Sequence, residues 1–228
     1  MRESRSKPRI WDTDWLVLRP LSQLICEKIS AQSPPDAKLI DLGCGDMPYK
    51  AVLERQGIHY VGADIDDGGD VRIAPDGRVP LDARSFDAVL SVQVLEHVRD
   101  LDAYFTEIRR LLREDGSLYL STHGSWLYHP HPEDHRRWTG PGLVAELDAH
   151  GFMVEENVAL VGPLATTTLI RMTGFAFFLR KLPLLGAAFA SALTVVMNLR
   201  ALVEDKLTPA GIRQNDACVY FVRARCKA

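Results

Sequence analysis

The sequence predicts an α/β fold whose seven strands form a mostly parallel sheet, and three observations carry the prediction. Short apolar runs alternate with amphipathic, helix-like stretches along most of the chain. The run Leu39–Leu42 stops in a turn with two spaced glycines, Gly43 and Gly45; a buried strand ending this way opens a backbone-lined cleft suited to a nucleotide-like ligand. A second apolar run, Tyr60–Ala63, closes on Asp64 about one βα unit later. A carboxylate there can accept from both hydroxyls of a ribose.

Taken in order, residues 15–31 have apolar positions at helical spacing and stop before Pro34-Pro35, which predicts a leading helix. Strand one spans 38–42, and a helix over 49–56 follows Pro48, a residue tolerated in a first helical turn. Strand two covers 58–63 and a short strand three 70–73. Phe86–Val92 is strand four. Residues 99–113 place Leu101, Tyr104, Phe105, Ile108, Leu111 and Leu112 on one helical face. Glu114-Asp115-Gly116 is expected to turn the chain into strand five, 117–122. A helix over 139–150 is capped by Thr139 and stopped by Gly151. Strand six starts at Phe152 and the last strand covers 217–222.

Between them, 158–202 is strongly apolar, and 182–199 lacks any charged residue. That length reaches the threshold for a membrane span. However, Pro183, Gly186, Ser191, Thr194 and Asn198 dilute the segment, and the last strand must still rejoin the sheet. A packed helical cap or dimer face, an interfacial membrane contact and a true span are the readings this leaves, the cap or dimer face foremost. The expected division is an N-terminal helical cap (1–35), a core (36–160), an apolar helical insertion (161–212) and the last strand (213–228).

The chain has 228 residues and a net charge of −3, with acids and bases interspersed. It has no clustered basic face, which argues against nucleic-acid binding; the short basic start, Arg2, Arg5, Lys7 and Arg9, reads as a solvated tail. Cys26, Cys44, Cys218 and Cys226 are scattered, without zinc-site spacing, and no signal peptide is evident. The expectation is a cytoplasmic protein with core cysteines.

Four segments occur in the order and spacing of a known family: Asp41-Leu-Gly43-Cys-Gly45, Val61-Gly62-Ala63-Asp64, Phe86-Asp87-Ala88-Val89 running into Val94-Leu95-Glu96-His97-Val98, and Arg110–Leu118. Over about residues 36–160 the chain resembles class I S-adenosylmethionine-dependent methyltransferases, in the small-molecule branch that includes ubiquinone and menaquinone methylases. The resemblance implies a doubly wound Rossmann-like sheet and S-adenosylmethionine as cofactor. It places Gly43 and Gly45 against the methionine part, where a side chain would collide with the ligand. Asp41 would orient the loop or bind the ammonium group, and Asp64 would hold the ribose. Ile65 would lie against adenine, Asp70 and Val71 at the adenine edge, and Ser91 and Gln93 on the floor near the sulfonium. Glu96 and His97 read as helix-start structure. Arg19-Pro20 resembles a helix that closes over the cofactor. Met47 departs from the family's small residue, and Pro48 argues against the GxGxxG turn of nicotinamide dehydrogenases.

The loop after strand five concentrates His123, Trp126, Tyr128, His129, His131, Glu133, Asp134, His135, Arg136, Arg137 and Trp138. In an open α/β sheet, ligands gather where this loop begins. Its 132–139 part resembles an acceptor-pocket loop of related methylases. His123 leads as general base because it lies nearest the strand end, and His131 is second. The alternate spacing of His129, His131, Glu133 and His135 also suits a metal, although no metal site is expected. The sequence therefore predicts methyl transfer to oxygen or nitrogen of a small or lipid-like acceptor, with peripheral membrane contact through 161–202 or a homodimer as partners. The rivals are a catalytically silent cofactor-binding scaffold and a metal-dependent hydrolase using the 129–135 loop.

Overall fold

The computed structural model describes residues 5–130 and 133–227. Its elements are α1 (Trp15–Gln32), β1 (Lys38–Leu42), α2 (Lys50–Glu54), β2 (His59–Asp64), β3 (Val71–Arg72), β4 (Phe86–Val92), a 3-10 turn (Leu95–His97), α3 (Leu101–Leu111), β5 (Leu112–His123), α4 (Gly140–Ala149), β6 (Phe152–Leu160), α5 (Pro163–Arg180), α6 (Gly186–Leu207), α7 (Ala210–Asn215) and β7 (Val219–Cys226). The strands form a seven-stranded sheet in the order β3-β2-β1-β4-β5-β7-β6. The first five pair in parallel, and β7 runs antiparallel to both β5 and β6. The chain winds outward from β1 in one direction and from β4 in the other, so the switch point lies between these two strands, where ligands of doubly wound folds sit.

The alternation of each strand divides the core in two. Leu39, Leu90, Tyr119 and Phe221 face a cluster closed by α1, α2, α5 and α6. Ile40, Val89, Leu118 and Tyr220 face another closed by α3 and α4. Each fully buried leucine or isoleucine contributes about 1.5–3 kcal/mol by leaving water. α3 buries Phe105, Ile108 and Leu111, and the Asp100 carboxylate caps it by accepting from the Ala103 amide at 2.9 Å. Thr139 caps α4 in the same manner, accepting from Gly142 N.

Two expectations change. Strand β5 starts at Leu112 rather than after the Glu-Asp-Gly stretch, which is a bulge between the pairings Phe86↔Leu112 and Ala88↔Ser117. Strand β7 starts two residues later than expected, at Val219, and extends to Cys226. The apolar segment folds as two long helices, α5 and α6. α6 buries Gly186, Ala190, Thr194, Asn198 and Ala201, a seam of small or short side chains that lets helices approach closely. A Cβ on Gly186 would lie 2.3 Å from the Leu179 carbonyl oxygen.

Candidate active site

A cavity of about 1080 Å³ opens at the carboxyl ends of β1, β2, β4 and β5. Its first wall is the glycine turn. Gly43 N and Cys44 N donate to Ala63 O at 2.8 and 3.2 Å, and Gly45 N donates to Asp64 Oδ2 at 2.7 Å. The turn is thereby tied to the end of β2 before any ligand arrives. Gly43 has φ +72°, and a Cβ there would lie 2.5 Å from Val94 Cγ2. Within the protein itself, glycine at 43 is required by its positive φ and by Val94, and at 45 it is favoured by a φ of +52°. Met47 is accommodated because Gly62 has no side chain: a Cβ on Gly62 would meet Met47 S at 2.7 Å and Cys44 Sγ at 2.9 Å.

Asp41 lines this wall from beneath. It is almost fully buried, Tyr60 OH donates to its Oδ2, and its Oδ1 has no protein partner. Burial pushes its carboxyl up to about 7, helped by the Asp64 charge and opposed by the Tyr60 bond. An orphaned buried carboxylate oxygen at a ligand cavity suits a cationic group. Asp64 and Ile65 line the next stretch, with Ile65 about half exposed at the rim. Ile73, Asp76, Gly77 and Val79 continue the lining beyond them. Asp70 and Val71 do not line the cavity. Asp70 instead accepts from Gly62 N at 2.9 Å and from Lys50 Nζ at 2.8 Å, bonds that hold its carboxyl below the ordinary value. Val71 pairs with Ala63 and packs on the core.

Gln93 lines the floor, with φ +57°, its amide nitrogen on Ser121 Oγ at 3.2 Å and its Oε1 unpartnered. Ser91 lies outside the lining. It is fully buried on the α3 side, 2.5 Å from the Tyr104 hydroxyl, and Tyr104 is the group that reaches the cavity.

The opposite wall is His123, the last residue of β5. Its Nδ1 lies 2.5 Å from Glu96 Oε1, and Thr122 Oγ1 donates to Glu96 Oε2 at 2.8 Å. Glu96 is 0% exposed. Burial alone would raise its pKa, but the bonds from His123 and Thr122 outweigh it and hold the carboxyl below its usual range. The ionised Glu96 accepts the Nδ1 proton, which leaves Nε2 as the basic nitrogen. Glu96 does lie in a helical turn, as its helix-start reading has it, and that 3-10 turn aims its carboxylate across at β5. The only signal was its place in the Val94–Val98 segment.

The loop beyond β5 folds back over this pair. The His123 ring stacks on Trp126 and meets His129 edge-on at 4.8 Å. Asp134 braces the loop: Arg137 donates to it at 2.5 and 2.7 Å and His129 N at 2.8 Å, keeping it well below the ordinary carboxylate range. His131 lies outside the described residues. His135 and Glu133 bond to each other at 3.1 Å and do not line the cavity. Among the described residues, the group able to offer three metal-ligand atoms within 4.8 Å is Glu96, His123 and His129, not the 129–135 set. The N-terminal segment closes the top through Arg5, Thr13, Asp14, Val17 and Leu18, so Arg5 belongs to the site and Arg19 does not.

A doubly wound sheet with a glycine turn and an acid at each of its first two strand ends defines a cofactor-binding α/β domain. The chain belongs to the methyltransferase-domain family, whose model matches residues 17–157. Among curated proteins, it is 27% identical over 112 residues to the ubiquinone biosynthesis O-methyltransferase of Pelagibacter ubique (strain HTCC1062), over 42% of this chain and 46% of that one. The match spans less than half the length of that relative. Among solved structures, the [4+2]-cyclase SpnF superposes with TM-score 0.60 at 17% identity, covering 92% of this chain and 83% of its own. Geranyl diphosphate C-methyltransferase from Streptomyces coelicolor A3(2) does so with TM-score 0.56 at 16% identity, covering 92% and 77%. These likenesses show the shared fold.

Proposed function

We propose that this chain transfers a methyl group from S-adenosylmethionine to an oxygen or nitrogen of a small or lipid-like acceptor, with His123 as general base and Glu96 as its positioning residue. The observation that carries the reading is one cavity holding a buried acceptor without a protein partner, Asp41 Oδ1, on one wall and the Glu96–His123 pair on the other. Its volume of about 1080 Å³ lies at the upper end of small-ligand pockets, about 1,000 Å³, which is compatible with cofactor and acceptor side by side. The match of residues 17–157 to the methyltransferase domain and the 27% identity over 112 residues to an O-methyltransferase support this reading.

When bound, S-adenosylmethionine supplies an electrophilic methyl on a sulfonium. Asp41 would take the amino acid's ammonium, Asp64 the ribose hydroxyls and Ile65 the adenine face. Gln93 and Tyr104 would line the floor. Transfer of this kind depends chiefly on alignment, which the glycine turn and strand ends on one side and His123 on the other would supply. His123 Nε2 would take the acceptor's proton, while Glu96 fixes the ring and stabilises the imidazolium.

A metal-using reading has the Glu96–His123–His129 group in its favour. Yet Glu96 and His123 meet in a direct 2.5 Å hydrogen bond, and a metal held by both of those atoms would need them farther apart, since each metal–ligand bond is about 2 Å. Titration with S-adenosylhomocysteine together with elemental analysis tests both readings. Micromolar binding without stoichiometric metal supports methyl transfer; stoichiometric zinc or iron without binding overturns it.

A further inference from the structure

From residue 157 to 203 the chain has no acidic side chain and four basic ones, Arg171, Arg180, Lys181 and Arg200. The hairpin of α5 and α6 occupies this stretch, and its two ends differ. At the base, α6 is fixed to the body by polar bonds, Asn198 Nδ2 donating to Ile10 O at 2.8 Å and Asp12 O at 3.0 Å and Gly162 N to Asp205 Oδ1 at 2.7 Å, while Thr168 Oγ1 on α5 donates to Glu204 Oε2 at 2.5 Å and ties the two helices together. At the tip, large apolar side chains face outward. Phe177 and Phe178 are 64% exposed, Leu184 is fully exposed, and Phe175, Leu185 and Phe189 are more than half exposed. Isolated exposed apolar residues are ordinary, but this density within one turn region marks an interaction surface. Arg180 and Lys181 are exposed beside it, and the Lys181 ammonium lies 4.3 Å from the centre of the Phe177 ring.

We infer that the hairpin tip docks this protein on an anionic lipid surface, with the phenylalanines and leucines entering the interface and Arg180 and Lys181 meeting the headgroups. Charge selects this occupant. A second copy paired tip to tip would bring the same cations together with no acid to answer them. α6 is long and apolar enough to cross a membrane by length and composition, but its buried Thr194 and Asn198 and the bonds at its base belong to a helix held against a soluble body. Apolar insertion combined with basic headgroup contact is the interfacial mode of binding. Thr173 on α5 lines the cavity, so docking would bring the site close to the lipid. This inference stands without methyl transfer.

The test is flotation of the whole chain with vesicles of phosphatidylcholine alone and of phosphatidylcholine mixed with phosphatidylglycerol. The expected result is binding to the mixed vesicles that weakens with salt. Arg180→Gln with Lys181→Gln should weaken it about tenfold or more, and Phe178→Ser with Leu184→Ser should abolish it, with thermal unfolding unchanged because all four side chains are exposed. Failure of the wild type to bind mixed vesicles, equal binding by the variants, or a wild-type dimer that Leu184→Ser dissolves would each overturn the inference. Loss of S-adenosylhomocysteine binding with vesicle binding intact would overturn the methyl-transfer reading alone.

Discussion

At the residue scale, Asp41 joins stability to binding. Its folded-state pKa is about 7, whereas an unfolded aspartate ionises near 3.9. The unfolded chain therefore releases this proton from about pH 4 upward while the folded chain keeps it, so the carboxyl costs stability as pH rises through that window. Asp41→Asn should stabilise the ligand-free protein at pH 8 by an amount on the order of 4 kcal/mol, read by urea unfolding, and should weaken S-adenosylhomocysteine. An ammonium placed on Oδ1 would lower the pKa, so binding at pH 6.5 should release a proton. Calorimetry in buffers of differing ionisation enthalpy measures it, and a buffer-independent enthalpy would remove Asp41 from that role. Glu96 has the opposite sign. Its folded pKa is depressed, so its contribution is present above the unfolded value near 4.3 and is lost as pH falls through the lower folded one. Glu96→Gln should flatten that acid limb. Once an acceptor is known, it should lower kcat about tenfold to a hundredfold with KM little changed, and shift the pH profile, because its effect passes through His123.

At the scale of elements, the glycine turn offers a separable test. Gly43→Ala meets two obstacles, a positive φ and Val94 Cγ2 at 2.5 Å. Adding Val94→Ala relieves only the contact. The single variant should lose roughly 2–3 kcal/mol and the double should recover part, leaving about 1 kcal/mol for the backbone. Full recovery would show that φ costs nothing here. The same turn shows what was legible beforehand. The limits of β1 and β4 follow from apolar runs bounded by turn residues, and both match the structure. The start of β5 was hidden because Glu114-Asp115-Gly116 has the composition of a turn, yet here it bulges within a strand. Ser91 and Asp70 were placed near strand ends correctly, but proximity in sequence does not say which face a side chain takes. Ser91 points to Tyr104, and Asp70 turns back to Gly62. The Glu96–His123 pair lies beyond periodicity altogether: it spans 27 positions and depends on the β4–β5 register.

At the scale of the whole molecule, the cavity draws its walls from strands that are fully buried and from an N-terminal segment that is not. Gly43 is held by a backbone bond to Ala63 of β2 and Gly45 by the Asp64 carboxylate at the end of that strand, whereas Arg5 is exposed and Thr13 and Leu18 only partly buried. Such a difference sets which region opens first, since local opening costs least where few apolar contacts must break. A ligand enclosed between the two should tighten the segment far more than the sheet. Hydrogen exchange with and without S-adenosylhomocysteine should therefore slow chiefly over 5–18 and 43–47, with β4 and β5 already near the global limit. At a hundredfold excess over Kd the ligand should add about 2.7 kcal/mol of stability, roughly 5–10 °C in Tm for a domain of this size, and Asp64→Ala should remove most of that gain. Protection confined to β5 and the loop after it would instead place the ligand at His123, and the turn would lose its assigned part in cofactor binding.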